Sequence, residues 1–169
     1  MIFILVSCAS VDPGKRLDSA RNNVSKEKYE AALDDYFWFH NNALKYDCAY
    51  AAVRQSYAIS EWVALGELYP KALQKLINIR DEKTEKILTG HGSINLFSDV
   101  SAINSNLKET EKTVQLFLEI IKFDSELADS CYIFAKEDLI KHKKFKICNN
   151  FLKDIDRELF LMKLLNQQF

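Results

Sequence analysis

Histidine is the side chain best suited to proton transfer or metal ligation near neutral pH, and this chain has three, His40, His91 and His142. They stand far apart on different segments. His40 falls on an apolar helical stripe and reads as a core or boundary residue, His91 sits between two glycines, and His142 lies in a lysine run. The acidic pairs Asp34-Asp35 and Glu137-Asp138 are adjacent in sequence. On a helix, neighbours point about 100° apart, so neither pair converges on a common atom. Four cysteines, Cys8, Cys48, Cys131 and Cys148, form no C-x-x-C pair and have no histidine at zinc spacing. The last three fall where a helix wants a small apolar residue, and are expected as buried free thiols in a reducing compartment. No phosphate-cradling glycine loop, nucleophile elbow or H-E-x-x-H is present. The expectation is a protein without catalytic residues, cofactor or metal, with an enzyme or enzyme accessory subunit as the lesser alternative.

Charge narrows the partners. The 169 residues carry 23 basic and 24 acidic side chains, for a net charge of −1. That balance provides no general field for nucleic acid. The densest basic run, Lys141 to Lys144 with Lys146, reads as a solvated helix–helix turn, with a phosphate patch as its alternative. The first eight residues end in Leu5-Val6-Ser7-Cys8, which is similar to the lipobox of bacterial lipoprotein signals. A lipid on Cys8 would tether the chain to a membrane. The apolar run is short and lacks a preceding basic residue, so a cytoplasmic protein with a chance apolar end is the other reading.

The elements that must position any site are helical. Apolar residues make up 48 % of the chain, while there are only four glycines and two prolines, too few turn formers for a sheet protein of this length. Residues 1–24 are expected as a flexible lead and residues 25–169 as a single helical domain. Apolar spacing of three and four predicts helices over about 25–46, 48–66, 70–88, 93–107, 109–123, 125–142, 144–153 and 155–167. Asp47, Ser93 and Asp124-Ser125 are expected to start helices, Pro70 to open one, and Gly66 and Gly90 to end others. Trp38 lies off the main stripe of its helix and is expected either to pack against the lead or a neighbour, or to anchor a partner. Short connections make successive helices antiparallel neighbours.

A phrase repeats at a beat of roughly forty residues. Tyr29-x-x-Ala32-Leu33-x-x-Tyr36 returns as Tyr69-x-x-Ala72-Leu73-x-x-Leu76, then as Thr110-x-x-Thr113-Val114-x-x-Phe117, then as Phe145-x-x-Cys148. A small residue lets two helices approach, and a large one a turn later fills the space beyond. Phe97, Val100, Ser101, Thr113 and Phe117 carry the spacing of a two-helix unit. Tyr132, Ala135, Cys148 and Leu152 carry most of it, as do Ile59, Ser60, Ala72 and Leu76. The pattern resembles a divergent tetratricopeptide repeat. Trp62-x-x-Leu65-Gly66-x-x-Tyr69 spells that family's opening motif, but Pro70 follows at once and would break the helix the motif requires.

The resemblance implies an all-α fold of antiparallel helix pairs stacked as a short right-handed superhelical array. It also implies a scaffold that grips a protein or peptide segment in its concave groove. Carried onto this chain, the family's groove-facing positions are Arg54, Tyr57 and Glu61, then Asn95, Asp99 and Asn106, then Glu137 and Lys141. Arg54 and Glu61 are seven residues apart and expected on one helical face. Inter-helix ion pairs or plain solvated surface are the bland alternative for all eight, and a structural spacer is the bland alternative for the whole chain.

Overall fold

The computed structural model describes residues 12–152, all of whose regular structure is helical. The helices are α1 (Pro13–Ser25), α2 (Tyr29–Tyr46), α3 (Tyr50–Gln55), α4 (Tyr57–Leu68), α5 (Pro70–Lys86), α6 (Ile94–Asn106), α7 (Thr110–Phe123), α8 (Ser125–Lys141) and α9 (Phe145–Phe151). A single π turn, Ile87–His91, follows α5. The described residues fall into two compact units that divide between Asn78 and Ile79, within α5. The helix expected over 155–167 lies outside the described residues.

Three hairpins, α1/α2, α6/α7 and α8/α9, share one construction. The first helix of each begins at a side-chain cap. Asp12 accepts from the Gly14 N–H at 2.8 Å, Ser93 from Leu96 at 3.3 Å, and Asp124 from Leu127 at 2.9 Å. Each cap satisfies one of the amides that a helix start leaves without an intrahelical partner. The first helix then ends in a Schellman turn through a left-handed residue, Glu27, Lys108 or Lys143, with φ of 57°, 60° and 58°. The N–H of the following residue reaches five back, Lys28 to Asn23, Glu109 to Asn104 and Lys144 to Leu139, at 2.9, 2.8 and 2.8 Å. Five residues past each left-handed position stands the small residue of the repeated phrase, Ala32, Thr113 or Cys148, each buried. The phrase noticed in the sequence therefore marks the opening turn of a hairpin's second helix. Its fourth copy, Ala72, opens α5 after a tighter turn set by Pro70.

In the first unit the core gathers Leu17 and Ala20 of α1, Ala32, Leu33, Tyr36, Phe39 and Ala43 of α2, Ile59, Trp62 and Leu65 of α4, and Ala72 and Leu76 of α5. In the second, Phe97 and Val100 of α6 pack with Val114, Phe117 and Ile120 of α7 and with Ala128, Cys131, Ala135 and Leu139 of α8. Burying a large apolar side chain is worth about 1.5–3 kcal/mol, so these faces, more than helix propensity, hold the hairpins.

Several expectations are corrected. The lead is not flexible throughout, because Pro13–Ser25 is a helix whose Leu17 and Ala20 are buried. The helix expected over 48–66 is broken at Ser56 (φ −118°, ψ −91°), whose hydroxyl donates to the Ala52 carbonyl at 2.6 Å and competes with continued winding. Asp47 accepts from the Ala49 N–H at 2.8 Å in a local turn, while α3 itself starts without a side-chain cap. Gly66 does not end a helix. It lies buried inside α4, and a Cβ there would stand 2.7 Å from the Leu73 Cβ, so its absence lets α5 approach. Gly90 does break the chain, at φ 83°. Cys48 is exposed, whereas Cys131 and Cys148 are buried.

Candidate functional site

Of the eight residues carried over from the repeat resemblance, Arg54, Tyr57 and Glu61 lie in the first unit and Asn95, Asp99, Asn106, Glu137 and Lys141 in the second. Arg54 is buried on α3. It donates to the His40 carbonyl at 3.3 Å and lies against that ring, so it faces the interior and not a guest. The break at Ser56 puts Glu61 on a different helix. There it pairs with Arg21 of α1 at 3.0 Å and accepts from the Tyr36 hydroxyl at 3.4 Å. Its charge and burial hold the Tyr36 phenol well above its ordinary pKa, burial being the larger cause. Asp99 is also buried, paired with Lys83 across α6 and α5. Asn106 donates to its own helix at Ala102, 2.8 Å away. Tyr57, Asn95, Glu137 and Lys141 are exposed. Trp38 is half-buried. Arg16 of α1 lies 5.6 Å over its ring and Tyr46 packs 5.7 Å away, so α1 supplies the cover expected of the lead.

A better-formed depression lies in the first unit between α2 and α5. It encloses about 400 Å³ and is lined by Glu30, Leu33, Asp34 and Phe37 of α2 and by Lys71, Gln74, Lys75 and Asn78 of α5. Both sets follow three-and-four spacing, so each is one face of its helix. Leu33 is buried and Phe37 is 37 % exposed, which gives the groove an apolar floor with one aromatic open to solvent. The Lys75 ammonium stands 4.5 Å over the Phe37 ring, a cation–π contact.

Polar groups line the walls in an ordered way. Lys71 donates to Glu30 at 2.6 Å, and the Tyr69 hydroxyl donates to the other oxygen of the same carboxylate. The Lys71 and Tyr69 hydrogen bonds hold the Glu30 carboxyl below its ordinary pKa, and Glu30 in return raises Lys71 and Tyr69. Glu30 and Lys71 are exposed and Tyr69 is half-buried, so the cluster fixes geometry at one end of the groove more than it adds stability. At the other end Gln74 donates to Asn78 at 2.8 Å. Sequence reasoning missed this groove, having taken Asp34 as solvated surface. The available signal was Phe37, an aromatic on the face of α2 away from the buried Ala32, Tyr36 and Phe39.

A second depression, of about 680 Å³, lies between α8 and α9 in the other unit, where Tyr132 stacks on Phe151 at 5.1 Å beside the exposed Ile133. Neither of these two depressions is lined by any of the eight carried-over residues. Among the described residues no three His, Cys, Asp or Glu side chains converge in a way that would hold a metal ion. No helix among them is long and apolar enough to cross a membrane. Compared with protein-family models, curated proteins and solved structures, the chain finds no match.

Proposed function

We propose that this chain is a non-catalytic, tetratricopeptide-like scaffold of helical hairpins, and that the α2/α5 groove holds a peptide segment of a partner protein. The observation that carries the reading is Phe37, an aromatic open to solvent on the floor of a groove whose walls hold amides and charges of both signs. An aromatic in a concave site anchors an apolar side chain, while Gln74 and Asn78 offer hydrogen bonds to an extended or helical backbone. The recurring Schellman hairpin supports the repeat side of the reading, since rigid helix pairs keep such a surface preorganised. No cofactor enters.

The test is selection of peptides from a random display library on the full chain, followed by titration of the enriched peptides. Phe37→Ala is expected to weaken their binding roughly thirtyfold, the effect of losing an aromatic anchor worth about 2 kcal/mol. Failure to enrich any peptide, or enriched peptides indifferent to Phe37→Ala, contradicts the groove.

A further inference from the structure

We propose that the turn between α8 and α9 is an interfacial contact that docks the protein on a membrane surface rich in anionic lipid. The three Schellman hairpins supply an internal comparison, because their backbones agree while the side chains on them do not. The residue that opens the second helix is Tyr29 in α2, half-buried and stacked 6.2 Å from Tyr69. In α7 it is Thr110, buried and 3.0 Å from His142. In α9 it is Phe145, left 55 % exposed. One turn earlier Ile140 is 43 % exposed on the same hairpin end. The fold tolerates a covered residue at this position twice, so nothing in the backbone demands an open aromatic in the third.

The charges on this turn are equally distinctive. Lys141, Lys143, Lys144 and Lys146 stand within four residues of Phe145 in sequence and are all exposed. Among the described residues Lys143, Lys144 and Lys146 form no ion pair. The left-handed backbone at Lys143 turns the chain sharply there. The nearby acids are Asp138, which interacts with Lys141, and the exposed Glu137. On the adjacent hairpin end Glu109 is held by Arg80 and Lys112. The turn thus combines an exposed aromatic with exposed lysines on both sides of it in sequence. It suits a surface into which the ring inserts while the ammonium groups meet lipid phosphates. This surface is separate from the groove proposed above and does not depend on it.

The experiment is co-sedimentation of the full chain with vesicles of phosphatidylcholine alone and with vesicles containing about one third phosphatidylserine. Expected is a preference for the anionic vesicles that fades with added salt, because exposed charges are screened. Lys143→Glu with Lys144→Glu should lower that binding roughly tenfold or more. Phe145→Ser should lower it at unchanged charge, with the helical circular dichroism of both variants intact. Equal sedimentation with both vesicle types, or binding that ignores Phe145→Ser, overturns the proposal. Binding to polyglutamate without binding to anionic vesicles also overturns it, and reassigns the turn to an acidic protein partner.

Discussion

The Trp62 indole donates its N–H to the Ala72 carbonyl across 2.9 Å, tying α4 to the first turn of α5 at a buried point. Beside that tie Gly66 faces Leu73, with the Cα and N of Leu73 only 3.1 and 3.2 Å from where a Gly66 Cβ would stand. Two effects compete in Gly66→Ala. Helix propensity favours alanine by about 1 kcal/mol, whereas overpacking costs about 1–3 kcal/mol. Because the clashing atoms include backbone, overpacking wins. Urea denaturation should show a lower midpoint at unchanged slope.

The left-handed residues predict the opposite sign. Lys108 sits at φ 60°, where an L side chain is strained by roughly 1–2 kcal/mol. Lys108→Gly relieves that strain, offset by the extra chain entropy glycine brings to the unfolded state. A net stabilisation of about 0.5–1 kcal/mol is expected by the same urea measurement. Lys108→Val should destabilise, since a β-branched residue tolerates this conformation worst.

Acid should act through Glu109. Its carboxyl is held below the ordinary 4.5, first by the Lys112 hydrogen bond and then by the nearby positive charges, against the opposing pull of burial. A depressed folded-state pKa contributes stability that is present above 4.5 and lost as pH falls below it. Asp138 runs the other way, since burial raises its carboxyl and its ionisation at neutral pH works against folding. Thermal melts between pH 7 and pH 3 should show Glu109→Gln with a shallower acid decline than the parent chain. Asp138→Asn should give equal or higher stability at pH 7.

Thiol reactivity should divide by burial. Cys48 is exposed, while burial pushes the Cys131 thiol up to about 12 and raises Cys148 as well. With a disulfide-exchange reagent at pH 8, Cys48 should react in the folded protein, and Cys131 and Cys148 only after denaturant is added.

What the sequence revealed was local. Pro70, Ser93 and Asp124 announce helix starts within their own few residues, and α5, α6 and α8 begin where those signals stand. The small residues Ala32, Ala72, Thr113 and Cys148 were legible as close-packing positions because periodicity alone exposes them. The first helix was missed because Leu17 and Ala20, with Pro13, are its only buried residues, too few to draw a stripe in a polar segment. At the Ser56 break one hydroxyl reaches a carbonyl four residues back, an option that many helical serines also have, so the sequence does not single it out. The groove depends on α2 lying beside α5 with two helices intervening in sequence, and no local spacing encodes that. Arg54 and Asp99 carry charges that read as surface, and only the packing of His40 and Lys83 against them reveals burial.

The most direct measurement is a backbone amide NMR titration of the full chain with a display-selected peptide. Shifts are expected to cluster at Leu33, Asp34, Phe37, Gln74, Lys75 and Asn78, and to vanish in Phe37→Ala. Shifts centred on Tyr57, Asn95 or Glu137, or on the α8/α9 depression, would contradict the groove.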